Sequence, residues 1–514
     1  MAGVVKLPEK VLKKLNTYIL PQWKVCFISA LIVGIMAHLY KITNWLPNWD
    51  SLVFRYDSQN MIGLGRWFLP VVCSFSSFYD LPFLNGVLAI IFHGLSAVYI
   101  CKILNVQKKF TAFLIGGVVV SFPTVTSVTM YNYVADGYSI AFFLSTLAAH
   151  YMTKEKPRYI PASLLIALST GIYQAYITVT IMLVLLKLID GIIYQGGTFK
   201  AVLKKIITML ITGILGVALY VIILKVCLSI FSAELLDYQG ISSSASMSGI
   251  NLKDFLYVIK KTFMDCFFDL SGGINVYIVL NVLVLTFTLV HYIMDTVKLK
   301  NVFNIFLVAV LSVLLIFGAG ALAFVNAGVD YHNLMLMGYS VFYLFFIILY
   351  ERGKCTPVKC WTVLLIGLAM ILNQTVISNV SYHKAQMAYE RSYGVLIRIA
   401  DRIEQIQGAE EAEKILVLGA LDNSSNYSVN LTPDITGITD GYIIRADDET
   451  VGQSVLTSAL ADYCEKDYKF ISGEEKKNLS QREDIRSMGK WPSETSVAVI
   501  DDMVVIKLDT EGEN

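Results

Sequence analysis

The chain has 514 residues, of which 55% are hydrophobic and 16% charged, with 41 Lys and Arg against 40 Asp and Glu. Soluble globular chains are about one quarter charged, so this composition excludes a string of soluble domains and predicts a polytopic membrane protein with the lipid bilayer as its surroundings. A net charge of +1 gives no basic footprint, so nucleic acid is not an expected partner.

A membrane-crossing helix needs about 20 apolar residues. The lysine-rich lead before the first apolar run, near 24–40, is followed by no small-residue cleavage site and reads as a signal anchor. A long loop, about 41–81, comes next. It contains Asn48-Trp49-Asp50-Ser51-Leu52, Arg55, Asp57 and Gly65-Arg66-Trp67. If the segment is helical, Asp50 and Asp57 stand about two turns and ~10 Å apart on one face. A carboxylate there can take a proton from a hydroxyl, and the planar guanidinium of Arg55 or Arg66 can hold a phosphate. The plainer readings are a helix cap for Asp50, a solvated side chain for Asp57 and an interfacial anchor for Arg66-Trp67.

Further spans are expected near 82–104, 110–129 and 136–153. The turn before the last of these holds Asp136 and Tyr138, with Asp136 either a helix cap or a group facing a site. The long uncharged stretch from residue 159 is either one helix or two. With two crossings, 159–172 and 174–190, every Lys/Arg cluster falls on one side of the membrane: Lys6–Lys24, Lys102–Lys109, Lys154–Arg158, Lys187–Lys205, Lys298–Lys300 and Arg352–Lys359. The positive-inside rule therefore selects two, joined at Tyr173-Gln174. Span 205–231 carries Lys225 near its outer end, where it either faces a polar cavity or snorkels. The loop 232–274 includes an amphipathic stretch from Leu252 to Phe263. Spans near 275–295, 302–326, 333–350 and 361–379 complete a set of eleven, with His332 in the external turn before the tenth. A lone His in such a turn is more often structural than catalytic.

The chain thus divides into a transmembrane part, 1–379, and a polar tail, 380–514. The N-terminus is expected in the cytoplasm and the tail outside. The tail predicts a small α+β domain: a helical pattern from Met387 to Ile406, a strand at 415–419, a helix at 451–464 and a hairpin of 495–500 with 503–508. No metal is expected, since Cys355 and Cys360 share a short loop without a nearby His.

The polar candidates gather on the outer side. None is strung through the midplane as a lipid-linked glycan flippase or transporter would require, and no Gly-rich nucleotide loop occurs. A reaction at the outer face needs a donor that has already crossed, and a sugar linked to a lipid phosphate meets that need. A glycan polymerase or ligase would use the same kind of substrate.

The motifs Asn48-Trp49-Asp50-Ser51-Leu52 and Gly65-Arg66-Trp67 resemble those of the bacterial glucosyltransferases typified by serotype-converting O-antigen glucosyltransferases. Ala135-Asp136-Gly137-Tyr138, Tyr173-Gln174-Ala175-Tyr176, Asp237-Tyr238-Gln239-Gly240 and Tyr331-His332-Asn333-Leu334-Met335 support the resemblance. It implies an all-α, GT-C-like bundle in the bacterial cell membrane, a polyprenyl-phosphate sugar as donor and a cell-surface polysaccharide as acceptor, with no cofactor. It places the general base at Asp50, with Asp57 second. Arg55, Arg66 and Lys225 would stabilise the leaving phosphate; Asp136, Tyr138, Tyr173, Gln174 and His332 would bind the sugar.

Overall fold

The computed structural model describes residues 9–10, 17–53, 61–76, 79–196, 199–236, 252–269, 273–324, 331–419, 421, 435 and 449–508. The chain divides into two compact units. The first comprises 1–44, 58–379 and 430–435, the second 45–57, 380–429 and 436–514.

The first unit is helical. Among the described residues seven helices are long and apolar enough to cross a membrane: Pro21–Thr43, Pro82–Ile103, Gln174–Gln195, Phe199–Ile230, Val276–Val297, Val302–Ala319 and Pro357–Glu404. An eighth is the pair Lys109–Ser121 and Pro123–Met130, bent by 41°. The bend has a local cause. Pro123 supplies no N–H, and Phe122 before it is driven to an extended ψ of 137°. Asn132–Thr153 has 22 residues but carries Asn132, Asp136 and His150. Tyr159–Ile172 and Met337–Ile348 are shorter. The stretch after residue 159 is indeed two helices, broken where Tyr173 turns extended at φ −155°.

The densest packing joins Pro82–Ile103 to Asn132–Thr153, and Pro21–Thr43 to both Pro82–Ile103 and Lys109–Ser121. Small and polar side chains stitch helices of this unit together. Ser29 Oγ donates to the Phe113 carbonyl at 2.7 Å, Ser121 Oγ to Gln374 Oε1 at 2.9 Å, and Tyr343 donates to Asn281 Oδ1 at 2.7 Å. Bonds of this kind hold helices together where burial from water supplies no drive. Phe199–Ile230 is mostly exposed. Its buried residues, Val202, Met209, Thr212, Gly216, Tyr220 and Leu224, form one stripe at three- and four-residue spacing, the pattern of a helix touching its neighbours along a single line. The amphipathic stretch of the 232–274 loop is the helix Leu252–Phe268, which buries Phe255, Val258 and Ile259.

One boundary differs from expectation. The helix of the last expected span continues past 379: Pro357–Glu404 is a single helix of 48 residues that takes in most of the Met387–Ile406 pattern. Polarity changes along it, but residues 368–393 hold neither Gly nor Pro to interrupt the hydrogen-bond ladder. Cys355 and Cys360 are joined by a disulfide just before and within its first turn.

The second unit contains a four-stranded sheet of order β2-β1-β4-β3, with β1 Lys414–Leu418, β2 Lys469–Phe470, β3 Val497–Ile500 and β4 Met503–Lys507. β1 runs parallel to β2 and β4, and β3 pairs with β4 as a hairpin. The turn residues Asp501 and Asp502 both have positive φ (49° and 56°), as a two-residue turn matched to strand twist requires. β1 alternates. Ile415 and Val417 pack with Leu396, Ile403, Leu456 and Leu460, whereas Leu416 and Leu418 pack with Ile471 and Ile485. Both faces of the sheet are therefore covered, by Glu449–Cys464 and the end of Pro357–Glu404 on one side and by shorter elements on the other. Leu52, from the short helix Trp49–Val53, joins the first of these cores.

Candidate active site

In the first unit the site is built on the turn at 61–68. The Arg66 N–H donates to the Met61 carbonyl at 2.8 Å, and the Gly65 N–H to Ile62 at 2.9 Å. Gly65 takes φ +74°, and a Cβ there would lie 2.7 Å from the Tyr220 hydroxyl and 2.8 Å from Gln174 Nε2. Only glycine meets both demands. The Tyr220 hydroxyl donates to the Gly65 carbonyl (3.0 Å), and Gln174 Nε2 donates to the Leu64 carbonyl (2.9 Å). Trp67 lies against Gly171, where a Cβ would come within 2.6 Å of its ring, and the Phe68 N–H donates to the Gly171 carbonyl at 2.8 Å.

The turn thereby presents Arg66. Its Nη1 donates to the Tyr138 hydroxyl (3.1 Å), and its guanidinium carbon lies 4.9 Å from the centre of the Tyr173 ring. Tyr173 in turn stacks on Tyr138, with centroids 4.4 Å apart and planes 14° from parallel. Three segments far apart in sequence, Gly65-Arg66-Trp67, Asp136-Gly137-Tyr138 and Tyr173-Gln174, thus converge on one cation, set over the Tyr173 ring and bonded to the Tyr138 hydroxyl. A guanidinium held this way keeps its charge and its planar fork in a fixed orientation. Arg66 is half-buried within the helical unit.

Asp136 is buried. The helix Asn132–Thr153 starts four residues before it, so it is not the cap of that helix. Its Oδ1 accepts the Gly137 N–H at 2.9 Å. One helical turn earlier is a polar knot that sequence reasoning missed. Asn132 Nδ2 donates to Asp80 Oδ1, and Asn85 Nδ2 donates to the Asn132 carbonyl at 2.9 Å. Lys41 is fully buried within reach of the Asp80 charge. Among the described residues, Lys41 Nζ, Asp80 Oδ2, Asn85 Oδ1 and Asn132 Oδ1 find no hydrogen-bond partner. An ammonium near a carboxylate that is itself linked to two amides suits hydroxyl groups, which both donate and accept. The signal available in the sequence was an ionisable residue at the end of an apolar run, Lys41, and an acid just before another, Asp80.

A family model described as Glucosyl transferase GtrII matches residues 39–349. The chain belongs to that family. Neither the curated proteins nor the solved structures give a match. The span matched to the GtrII glucosyl transferases holds the Arg66 turn, Asp136, Tyr138, Tyr173, Gln174 and Tyr220; the sheet of the second unit lies beyond it.

The remaining candidates of this GtrII glucosyl transferase are placed as follows. Asp50 belongs to the second unit, half-buried in the first turn of Trp49–Val53. The cap of that helix is Asn48, whose Oδ1 accepts the Ser51 N–H at 2.8 Å, so Asp50 is not committed to capping. Arg55 and Asp57 lie outside the described residues. Lys225 is exposed; it follows buried Leu224, and one residue rotates a helix by about 100°. On the same helix, Tyr220 is the residue that meets the Gly65 turn. His332 is exposed, in a turn tied down by Thr124 Oγ1 donating to the Asn333 carbonyl at 2.7 Å.

Proposed function

We propose that this membrane glucosyltransferase moves a sugar, glucose or a related hexose, from a polyprenyl-phosphate donor to a surface polysaccharide at the outer face of the bacterial cell membrane. The observation that carries this reading is Arg66, held over Tyr173 and bonded to Tyr138 in the segment matched to the family. A fixed guanidinium beside stacked aromatic rings suits a phosphate next to a sugar ring.

In the proposed step an acceptor hydroxyl attacks the anomeric carbon. The bond from that carbon to the phosphate oxygen breaks with inversion, polyprenyl phosphate leaves with the electron pair, and Asp50 takes the hydroxyl proton. Asp57 is the second candidate for the base. Arg66 stabilises the charge growing on the phosphate, assisted by Arg55 and Lys225. Tyr138 and Tyr173 face the sugar, and Asp136 and His332 bind its hydroxyls. Gln174 acts through the Gly65-Arg66 turn that its amide holds. The chain crosses the membrane eleven times as a GT-C-like bundle, with the N-terminus in the cytoplasm and the tail outside.

The test is sugar transfer by purified protein from polyprenyl-phosphate glucose, then other hexoses, to wall polysaccharide, comparing the native chain with Asp50→Asn. Loss of turnover only in the variant supports Asp50 as the base. Activity in both moves the base to Asp57 or Asp136. No transfer from any donor by the folded native protein overturns the reading.

A further inference from the structure

A second site lies at the other end of the helix Pro82–Ile103. From Asn85, in the polar knot, to Lys102 is 17 residues, about 25 Å of helix. There a cavity of about 430 Å³ opens between the start of Pro21–Thr43, the end of Pro82–Ile103 with its following turn, and the end of Asn132–Thr153. Trp23, Lys102, Asn105, Gln107 and His150 line it. Lys102 Nζ sits 4.4 Å from the centre of the Trp23 ring and 4.2 Å from that of Tyr99. His150 meets the same Tyr99 ring edge-on at 5.2 Å. Lys154, over the Tyr151 ring at 4.8 Å, acts electrostatically on both Lys102 and His150.

Like charges are therefore gathered around one opening, and none of the described residues that line it is acidic. The carboxylate of Glu351 is committed elsewhere, accepting the backbone N–H groups of Gln107 (3.0 Å) and Lys108 (2.7 Å). Helix C-terminal ends favour cations. That accounts for a lysine at the end of each helix, but not for a cavity lined by Lys102 and His150 with Lys154 beside it. The placement at the ends of apolar helices, with Trp23 and a lysine side by side, is that of the lipid headgroup layer.

We propose that this cavity binds the phosphate of an anionic phospholipid headgroup from the surrounding bilayer. Two lysines supply the charge, and the amides of Asn105 and Gln107 supply neutral hydrogen-bonding groups. Attraction of about fivefold in affinity per lysine near the surface sets the expected scale.

Native mass spectrometry of the full chain in detergent, titrated with phosphatidylglycerol or phosphatidylcholine, tests this without any turnover. Bound phosphatidylglycerol is expected at least about fivefold in excess of phosphatidylcholine at equal concentration. Lys102→Gln with Lys154→Gln removes the preference, and the control Lys300→Gln, at another basic span end, keeps it. Equal binding of the two lipids by the native chain overturns the proposal, and this arm needs no variant to fold. So does a preference that survives the double substitution or is lost equally in the control. Displacement of the lipid by millimolar inorganic phosphate would assign the cavity to free phosphate and also overturn it.

Discussion

Arg66 differs from a surface arginine in what a substitution would take away. Its charge, its hydrogen bond to Tyr138 and its place over the Tyr173 ring depend on different properties of the side chain. Arg66→Lys keeps only the charge, so kcat/KM for sugar transfer is expected to fall about tenfold. Arg66→Ala also removes the charge facing the leaving phosphate, and the loss is expected near 10²- to 10³-fold, the cost of one preorganised donor. Steady-state rates with polyprenyl-phosphate glucose check both; equal activity of Arg66→Lys and the native chain would make the planar fork irrelevant. Arg66, Tyr173 and Gln174 were legible because each is a polar or amphipathic residue in a turn between apolar runs, and Tyr138 because it follows Asp136, the one charge between two such runs. Tyr220 was not, because one tyrosine among Leu, Val and Ile reads as part of an aromatic belt until the Gly65 carbonyl is seen to meet it. Lys41 and Asp80 were hidden for a related reason: apolar periodicity marks where a span ends, not which polar side chain turns inward.

At the scale of elements, breaks with a local chemical cause were readable and continuity was not. The pair of helices after residue 159 was expected from charge parity, and the break between them is the extended backbone of Tyr173. The tail hairpin followed from two β-rich runs around Asp501-Asp502. The continuity of the single helix Pro357–Glu404 was missed because a change from apolar to polar composition was read as the end of an element, although no Gly or Pro stands there to end one. Packing between elements carries its own prediction. Arg352, between two apolar helices, pairs with Asp190, whose side chain is wholly buried. Burial works against the guanidinium's charge, yet the hydrogen bonds and charge of Asp190 more than offset this and hold its pKa above the ordinary arginine value. Asp190→Asn or Arg352→Met alone leaves a buried charge without its partner and is expected to cost about 3–5 kcal/mol. The double variant should recover most of that loss. Thermal unfolding of the purified variants in one detergent measures the difference, and a double variant no more stable than either single one would show that the pair is not coupled.

For the whole molecule, the question is which end of the helical unit faces the cytoplasm. The basic clusters were grouped in the sequence only by counting crossings. Contacts within the first unit group several of them in space. Arg352 donates to the Leu104 carbonyl beside Lys102–Lys109 and pairs with Asp190, next to Lys187. Lys359 Nζ donates to the Arg352 carbonyl, and Tyr194 donates to Asp295, the partner of Lys298. Lys154 and Lys102 feel each other's charge. One end of the unit therefore carries these lysines and arginines, and the positive-inside rule assigns that end to the cytoplasm. The Cys355–Cys360 disulfide sits at the same end, whereas disulfides persist chiefly in oxidising compartments. The two rules point in opposite directions, which makes the loop decisive. If charge governs, Cys355 and Cys360 are reduced in living cells. They then react with a membrane-permeant maleimide, but with an impermeant one only after lysis, by comparison with a Cys355→Ser, Cys360→Ser chain. A cysteine placed on the exposed tail helix by Glu474→Cys is then labelled by the impermeant reagent in intact protoplasts. Labelling of the tail only after lysis, with the loop oxidised and accessible from outside, would invert the orientation and put the Arg66 turn on the cytoplasmic face, where a lipid-linked donor has no advantage over a nucleotide sugar.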